Sequence, residues 1–152
     1  MASSIETFGG NTDLLEKLNT EGVRFLVVGG VAVKFYVPER QIDDLDILLD
    51  KRPDNVARLL DALRPLYGNN IPPEHLTQSA KAQMPLKHFH YADVVTADDS
   101  FDFDAEWGAG SDGLVNGQPV RFASRGLLIR HKAGGERPKD ASDLALLRGA
   151  DA

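Results

Sequence analysis

The sequence of 152 residues contains no cysteine. This absence excludes disulfide bonds, thiolate catalysis, and zinc or iron–sulfur sites that depend on cysteine ligands. The sequence also has no apolar run long enough to span a membrane, and its first ten residues lack the basic start and apolar core of a signal peptide. We therefore expect a cytoplasmic protein without a membrane segment.

The sequence also lacks an excess of basic residues. The chain has 23 acidic and 17 basic residues, which gives a net charge of −6 at pH 7. Binding to nucleic acid through overall charge is therefore disfavoured, although a local basic patch is compatible with this composition. Hydrophobic residues make up 42% of the chain, which is enough for a core, and the length predicts one domain over residues 1–152.

Hydrophobic periodicity predicts an alternation of helices and strands. Helices are expected near residues 11–20, 31–37, 53–67, 124–133 and 138–147. Strands are expected near residues 23–28, 44–49, 89–95 and 113–122, the last as a hairpin with Asn-Gly at its turn. Residues 71–83 have no clear pattern beyond a helical turn or two. This order predicts an α/β (α+β) domain with a small mixed β-sheet flanked by helices.

The most informative feature is Gly29-Gly30 followed by Asp44-Leu45-Asp46. Side chains alternate along a strand, so Asp44 and Asp46 are expected on one face, with Asp43 turned away at the surface. Two neighbouring carboxylates resist joint ionisation unless a cation lies between them. Magnesium prefers oxygen ligands and is commonly held by one or two carboxylates together with substrate phosphates. The alternative, a solvated acidic strand end, explains poorly why acids interrupt an apolar strand.

Two pairs of segments resemble a known family. Residues 25–33 (FLVVGGVAV) and 40–50 (RQIDDLDILLD) resemble the signature of small nucleotidyltransferases of the polymerase-beta-like superfamily. Residues 128–133 (LIRHKA) and 137–147 (RPKDASDLALL) are similar to the ending common in single-domain bacterial members. The resemblance implies the nucleotidyltransferase fold.

The resemblance also implies three catalytic carboxylates that bind Mg²⁺, normally as two ions. Asp44 and Asp46 match the first two positions. A third acid is expected on a neighbouring strand, and Asp93 is our choice because it lies in the apolar segment 91–95. Asp104 is the reserve candidate, and a turn or capping role is the alternative for Asp93.

Four residues are expected to bind the nucleotide. Gly29 and Gly30 would bring the backbone close to the triphosphate at a helix N-terminus, unless they form a plain strand-to-helix turn. Arg40 matches an arginine often found four residues before the first metal-binding acid, where it would bind a phosphate or a carboxylate. A surface salt bridge is the alternative for Arg40. Ile42 departs from the family, which often has a hydroxyl residue there.

Lys132 is the fourth nucleotide-binding candidate, and with Arg137 and Lys139 it forms the only conspicuous positive cluster of the sequence. These three residues are candidates for contact with the triphosphate or the acceptor. Equally, Arg137 and Lys139 could pair with acidic residues of the last helix, Asp140 and Asp143.

The histidines suggest a competing metal site. His88 and His90 alternate along a possible strand beside Asp93, which on spacing alone would suit a metal. Given the glycine and carboxylate motif, we expect them instead to be strand residues near the substrate cleft.

The resemblance implies an enzyme that transfers a nucleoside monophosphate from a nucleoside triphosphate, such as ATP, to an acceptor hydroxyl or phosphate and releases pyrophosphate. Members of the superfamily modify antibiotics, tRNA ends or proteins, and some are toxins of toxin–antitoxin pairs, so the acceptor is open. A homodimer or a helical partner such as an antitoxin is compatible with the small size. The alternative is a catalytically inactive nucleotide-binding or partner-binding module with the same fold.

Overall fold

The computed structural model describes residues 4–135 and 137–149. In these residues seven strands form one mixed sheet in the order β1-β6-β7-β2-β3-β5-β4. The strands are β1 (Ser4–Ile5), β2 (Phe25–Val28), β3 (Leu45–Leu49), β4 (Gln83–Leu86), β5 (Ala92–Val95), β6 (Ser111–Val115) and β7 (Gln118–Phe122). The helices are α1 (Asn11–Thr20), α2 (Gly29–Tyr36), α3 (Pro53–Tyr67), α4 (Glu74–Thr77), α5 (Phe103–Ala109), α6 (Arg125–Ala133) and α7 (Pro138–Gly149).

The centre of the sheet is formed by β2, β3 and β5. Strand β3 runs antiparallel to β2 and parallel to β5. Every residue of β2 is buried, and β3 is buried except at Asp46, which is partly exposed. Strands covered on both faces consist of nearly continuous apolar residues, and this explains the Phe-Leu-Val-Val and Ile-Leu-Leu runs. The register places Asp46 opposite Asp93, and the core therefore holds these two side chains at the same level of the sheet.

The helices cover this sheet with their apolar faces. Helix α3 starts with Pro53 at its first turn, which suits a residue without an N–H group, and buries Val56, Leu59 and Leu63. Helix α6 starts after Ser124, whose hydroxyl accepts a hydrogen bond from the Leu127 amide. In the described residues no helix is long and apolar enough to cross a membrane.

The main elements agree with the sequence prediction, including the hairpin turn with a positive φ angle at both Asn116 and Gly117. Three elements were not predicted: β1, β4 and α5. Strand β4 starts at the last residue of the segment without a clear pattern and continues beyond it to Leu86. Helix α5 lies in a stretch for which the sequence predicts neither a helix nor a strand, and there the Asp102 carboxylate accepts a hydrogen bond from the Ala105 amide. The predicted strand over 89–95 was too long, because residues 87–91 form a turn before β5.

Candidate active site

Three carboxylates meet at one end of the central strands. Asp44 directly precedes β3, Asp46 is the second residue of β3, and Asp93 is the second residue of β5. Strand pairing aligns Asp46 with Asp93, so the two acids lie on adjacent strands. All three line the same cleft as Gly29 and Gly30. The structure thus brings together the two glycines and the three acids that the sequence singled out.

The cleft has a volume of about 440 Å³. Its walls come from the ends of β2, β3 and β5, from the loop before β3, and from α6 and the start of α7. The lining side chains with charge or a ring are Arg40, Asp43, Asp44, Asp46, Asp93, His131, Lys132, Arg137, Lys139 and Asp140. Both signs of charge therefore face one space, which suits a ligand that carries phosphates together with a cation.

Asp46 has a perturbed acidity. Burial, followed by repulsion from Asp93 and Asp44, raises the pKa of Asp46 to about 6. Near neutral pH, deprotonation of this carboxyl group creates a negative charge beside two others. A cation at the cleft would favour the ionised form of all three acids.

Lys87 is the residue at this site that sequence reasoning missed. Its Nζ atom donates hydrogen bonds to Asp44 Oδ2 and to Asp93 Oδ2, the latter at 3.0 Å. It lies in the turn between β4 and β5, where no periodic pattern marks a residue as facing the cleft. The only signal is that a lysine lies six residues before Asp93, just ahead of the predicted strand, and that signal is weak.

The carboxylate oxygens at this site can be compared with the ligands that magnesium, the expected metal, prefers. Asp93 Oδ1 is buried without a hydrogen-bond partner, which is costly for a carboxylate oxygen that binds no cation. The oxygens of Asp44, Asp46 and Asp93 match the hard ligands that magnesium prefers. Within residues 4–135 and 137–149, no group of three or more acidic or histidine side chains is arranged so that it could hold a metal ion by itself. The residues therefore fit a site of one or two carboxylates completed by substrate oxygens, as is usual for magnesium.

The glycine pair forms the N-terminus of α2 directly above these acids. Gly29 has a φ angle of +66°, and a Cβ atom on it would lie 2.2 Å from Asp46 Oδ2. A Cβ atom on Gly30 would lie 3.0 Å from an Arg40 guanidinium nitrogen. The helix starts without a side-chain cap, so its first N–H groups remain available for a ligand anion. A side chain at Gly29 would therefore have to displace Asp46, whereas one at Gly30 would press against the Arg40 guanidinium group.

Arg40 forms a buried, two-pronged ion pair with α7. Its Nε atom lies 2.6 Å from Asp143 Oδ1, and Nη2 lies 3.1 Å from Asp143 Oδ2. The hydrogen bonds that Arg40 donates to Asp143 raise the pKa of Arg40 above its ordinary value, although burial opposes this. Only 10% of the arginine side chain and 1% of the aspartate side chain are exposed. Arg40 therefore contacts a buried carboxylate, as one of the alternatives predicted, and its Nη1 atom also lies 3.6 Å from the exposed carboxylate of Asp43.

The three cationic residues of the positive cluster, Lys132, Arg137 and Lys139, form ion pairs with three different aspartates. Lys132 is buried, with Nζ 3.1 Å from Asp143 Oδ2 and 3.3 Å from Asp140 Oδ1. Arg137 also pairs with Asp140, at 3.4 Å, as one of the two alternatives predicted. Lys139 instead forms its ion pair with Asp43, so its predicted pairing within α7 was wrong. Asp43 is exposed as expected, but it lines the same cleft as Asp44 and Asp46, so the expectation that it is turned away from them was wrong.

Asp104, the reserve third acid, lies elsewhere. Its carboxylate pairs with Arg24 and Arg52 beside Asp50, which follows the last residue of β3. Asp44 precedes the first residue of that strand, so Asp104 is at the opposite end of β3 from the cleft. The choice of Asp93 over Asp104 agrees with this geometry.

In the part of the chain that the structure describes, neither His88 nor His90 belongs to a group of three or more potential metal ligands. His90 is buried, its Nδ1 atom lies 2.8 Å from the Tyr67 hydroxyl, and burial lowers its pKa. His88 is exposed in the same turn, so the expectation that both are strand residues was wrong. Both belong to the turn that leads into β5 and Asp93.

Comparison with known proteins identifies the fold. No protein-family profile and no curated protein matches the sequence. A crystal structure of the lincosamide antibiotic adenylyltransferase LnuA with lincomycin bound is similar, with a TM-score of 0.63 and 13% identity over 97% of this chain and 99% of that chain. A crystal structure of ANT(2")-Ia in complex with adenylyl-2"-tobramycin gives a TM-score of 0.54 and 15% identity over 93% and 87% of the two chains.

A third similar structure is an antigenic nucleotidyltransferase-like protein from Paracoccidioides brasiliensis. It has a TM-score of 0.55 and 15% identity over 91% of this chain and 74% of that chain. At these identities the likeness establishes the architecture. The chain has the nucleotidyltransferase fold, as the sequence resemblance implied.

Proposed function

We propose that this protein is a magnesium-dependent nucleotidyltransferase that transfers a nucleoside monophosphate from a nucleoside triphosphate to an acceptor and releases pyrophosphate. The observation that carries this proposal is the convergence of Asp44, Asp46 and Asp93 beside the N-terminus of α2. Two proteins of the same fold carry the name of adenylyltransferases or bind an adenylylated product. ATP is therefore the first donor to test.

The triphosphate would bind between the glycine turn and the positive wall of the cleft. The first N–H groups of α2 and the helix dipole favour an anion at Gly29 and Gly30. Lys132 and Arg40 share Asp143 and form a fixed positive wall, to which we assign the phosphates. Arg137 is 71% exposed at the same cleft and can turn towards a phosphate at little cost.

The three acids would hold the metal and receive the proton. We assign magnesium to Asp44 and Asp46, with Asp93 adjacent; when bound, the metal neutralises phosphate charge and lowers the pKa of the attacking hydroxyl. The acceptor oxygen forms a bond to the α-phosphorus while the bond to the pyrophosphate oxygen breaks. We assign the acceptor proton to Asp93, because this residue lines the cleft beside Asp44 and Asp46.

The acceptor would approach past Asp44. The cleft continues there into a second hollow, which Phe8 and Tyr91 line with rings that are more than half exposed. A small hydroxyl compound with an apolar ring face fits this hollow. Antibiotics are the first compounds to screen, since lincomycin and adenylyl-tobramycin occupy the similar structures. Proteins and tRNA are the further acceptors to include.

The test is transfer of label from triphosphates. Purified protein is incubated with magnesium, each of the four α-labelled triphosphates and a panel of lincosamides, aminoglycosides, tRNA and bacterial protein extract. We expect the acceptor to become labelled and unlabelled pyrophosphate to be released. Both products should be lost in Asp44→Ala and retained in Asp112→Ala, because Asp112 is on β6 and its side chain is 86% exposed. Labelling that survives Asp44→Ala would contradict the assigned mechanism.

One observation favours the alternative of an inactive nucleotide-binding module. Lys87 already pairs with Asp44 and Asp93, so part of the negative charge at the site is offset without a metal ion. Calorimetry separates the two functions: an inactive module binds magnesium and nucleotide but releases no pyrophosphate with any acceptor. If the protein is instead a toxin, growth arrest on expression should require both Asp44 and Asp46.

A further inference from the structure

Lys87 holds a fixed place between two strands of the site. It directly follows β4, whose pairing with β5 sets Leu86 opposite Ala92. The backbone is thereby held beside the start of β5, and the side chain extends to Asp93 Oδ2 and Asp44 Oδ2. One ammonium group thus bridges an acid of β5 and the acid that precedes β3.

The charges at the site favour a divalent ion beside Asp46. Three carboxylates and one ammonium group carry a net charge of −2 when ionised. Among the described residues, no cationic side chain pairs with Asp46, so the uncompensated charge is concentrated on Asp46 and the free oxygens of its neighbours. A second divalent ion between Asp44 and Asp93 would lie beside the Lys87 ammonium group that already bridges their oxygens, and Coulomb repulsion between these two neighbouring cations opposes its binding.

We propose that Lys87 takes the place of one metal ion, so that the site binds a single divalent ion with its nucleotide. The inference deepens the proposed function and depends on it. The divalent ion belongs with Asp44 and Asp46, while the ammonium group of Lys87 provides the positive charge between Asp44 and Asp93. Lys87 is a positioning residue in this arrangement. It affects the acceptor only through Asp93, the acid to which we assign the acceptor proton.

The measurement is the number of metal ions bound at equilibrium. Mn²⁺ is titrated into protein saturated with an α,β-methylene triphosphate, which cannot transfer its nucleotide, and free Mn²⁺ is followed by electron paramagnetic resonance. We expect one ion per chain for the wild type and two for Lys87→Met. The double variant Lys87→Met/Asp93→Asn should return to one ion, because it also removes the acid that holds the second.

A matched control comes from the same cleft. Lys139 is a half-exposed lysine paired with Asp43, a neighbouring acid that is not among the three. Lys139→Met should leave the count at one. Circular dichroism checks the folding of each variant, and the wild-type count alone decides the inference if Lys87→Met does not fold.

The outcomes separate this inference from the proposed function. Two ions in the wild type, or one ion in a folded Lys87→Met variant, would overturn the role of Lys87 and leave nucleotidyl transfer intact. If none of the four methylene triphosphates binds to the wild type, both the proposed function and this inference are overturned.

Discussion

Gly29 lies against the carboxylate of Asp46, with no space for a side chain between them. A Cβ atom on Gly29 would be 2.2 Å from Asp46 Oδ2, far inside van der Waals contact. The two residues are joined by the pairing of β2 with β3, in which Val28 lies opposite Asp46. The glycine turn and the acidic strand are therefore one structural unit, and a change in either half displaces the other.

Gly29→Ala should damage the site more than the fold. The positive φ angle alone costs about 1–2 kcal/mol for an alanine, and the clash must also move Asp46 or the start of α2. We expect nucleotide affinity to fall at least about tenfold, which corresponds to about 1.4 kcal/mol, as measured by calorimetry. Gly22→Ala is the control, since Gly22 has a φ angle of +69° but no atom within 4 Å of its Cβ position. Equal affinity losses in the two variants would contradict the prediction.

The central motif was predictable from the sequence because its information is local. An apolar run that ends at Gly29-Gly30 and a second run interrupted at Asp44 and Asp46 report strand, turn and strand without any distant contact. Asp93 was found for the same reason, since apolar residues flank it. Strand β4 was missed because Pro85 argues against a strand, and β4 can contain a proline only because it forms the edge of the sheet.

Asp46→Asn should stabilise the metal-free protein at high pH. The pKa of Asp46 is about 6 in the folded protein and about 3.8 in the unfolded chain, so the folded state binds more protons between these values. The folded protein therefore loses stability as the pH rises through this range. In the presence of a chelator, we expect the Asp46→Asn substitution to add about 2–3 kcal/mol at pH 8 and little at pH 4, as measured by urea unfolding. An equal gain at both pH values would show that ionisation of Asp46 is not the cause.

Asp143→Ala should strongly destabilise the protein. The carboxylate is buried and pairs with Arg40 and Lys132, so its removal leaves two buried cations with one partner fewer. Loss of one member of a buried ion pair typically costs about 3–5 kcal/mol. Asp112→Ala, which breaks the exposed pair with Arg121, should cost about 1 kcal/mol or less. Chemical unfolding at pH 7 measures both changes.

The contribution of Asp143 also has a definite pH dependence. Burial raises its pKa, but hydrogen bonds from Arg40 and Lys132 outweigh this and hold the pKa below its ordinary value. The stabilisation is thus complete above the unfolded pKa of about 4 and is lost as the pH falls through the folded value. The difference between wild type and Asp143→Ala should shrink in acid, and a difference that grows there would contradict the assignment.

Contacts between distant segments were beyond sequence reasoning. Arg40 and Asp143 are separated by 103 positions, and nothing near either residue distinguishes a buried pair from a surface one. Lys87 reaches Asp44 from a turn, where side-chain direction follows from the paths of two strands and not from a repeating pattern. Such residues can be assigned only after the sheet order is known.

Asn11→Ala should loosen the segment that leads to Asp93. The buried Asn11 side chain accepts a hydrogen bond from the Tyr91 amide and donates one to the Tyr91 carbonyl, two residues before Asp93. Its loss removes the partner of the Tyr91 amide, while the Tyr91 carbonyl keeps its hydrogen bond from the Leu45 amide, and should cost about 1 kcal/mol. Asn19→Ala, which removes an exposed bond to Pro119, should cost less. Hydrogen exchange of the backbone amides shows where the effect lies. Faster exchange at the Tyr91 amide in Asn11→Ala, but not in Asn19→Ala, would support the role of Asn11. Unchanged exchange at Tyr91 would show that other contacts hold the turn.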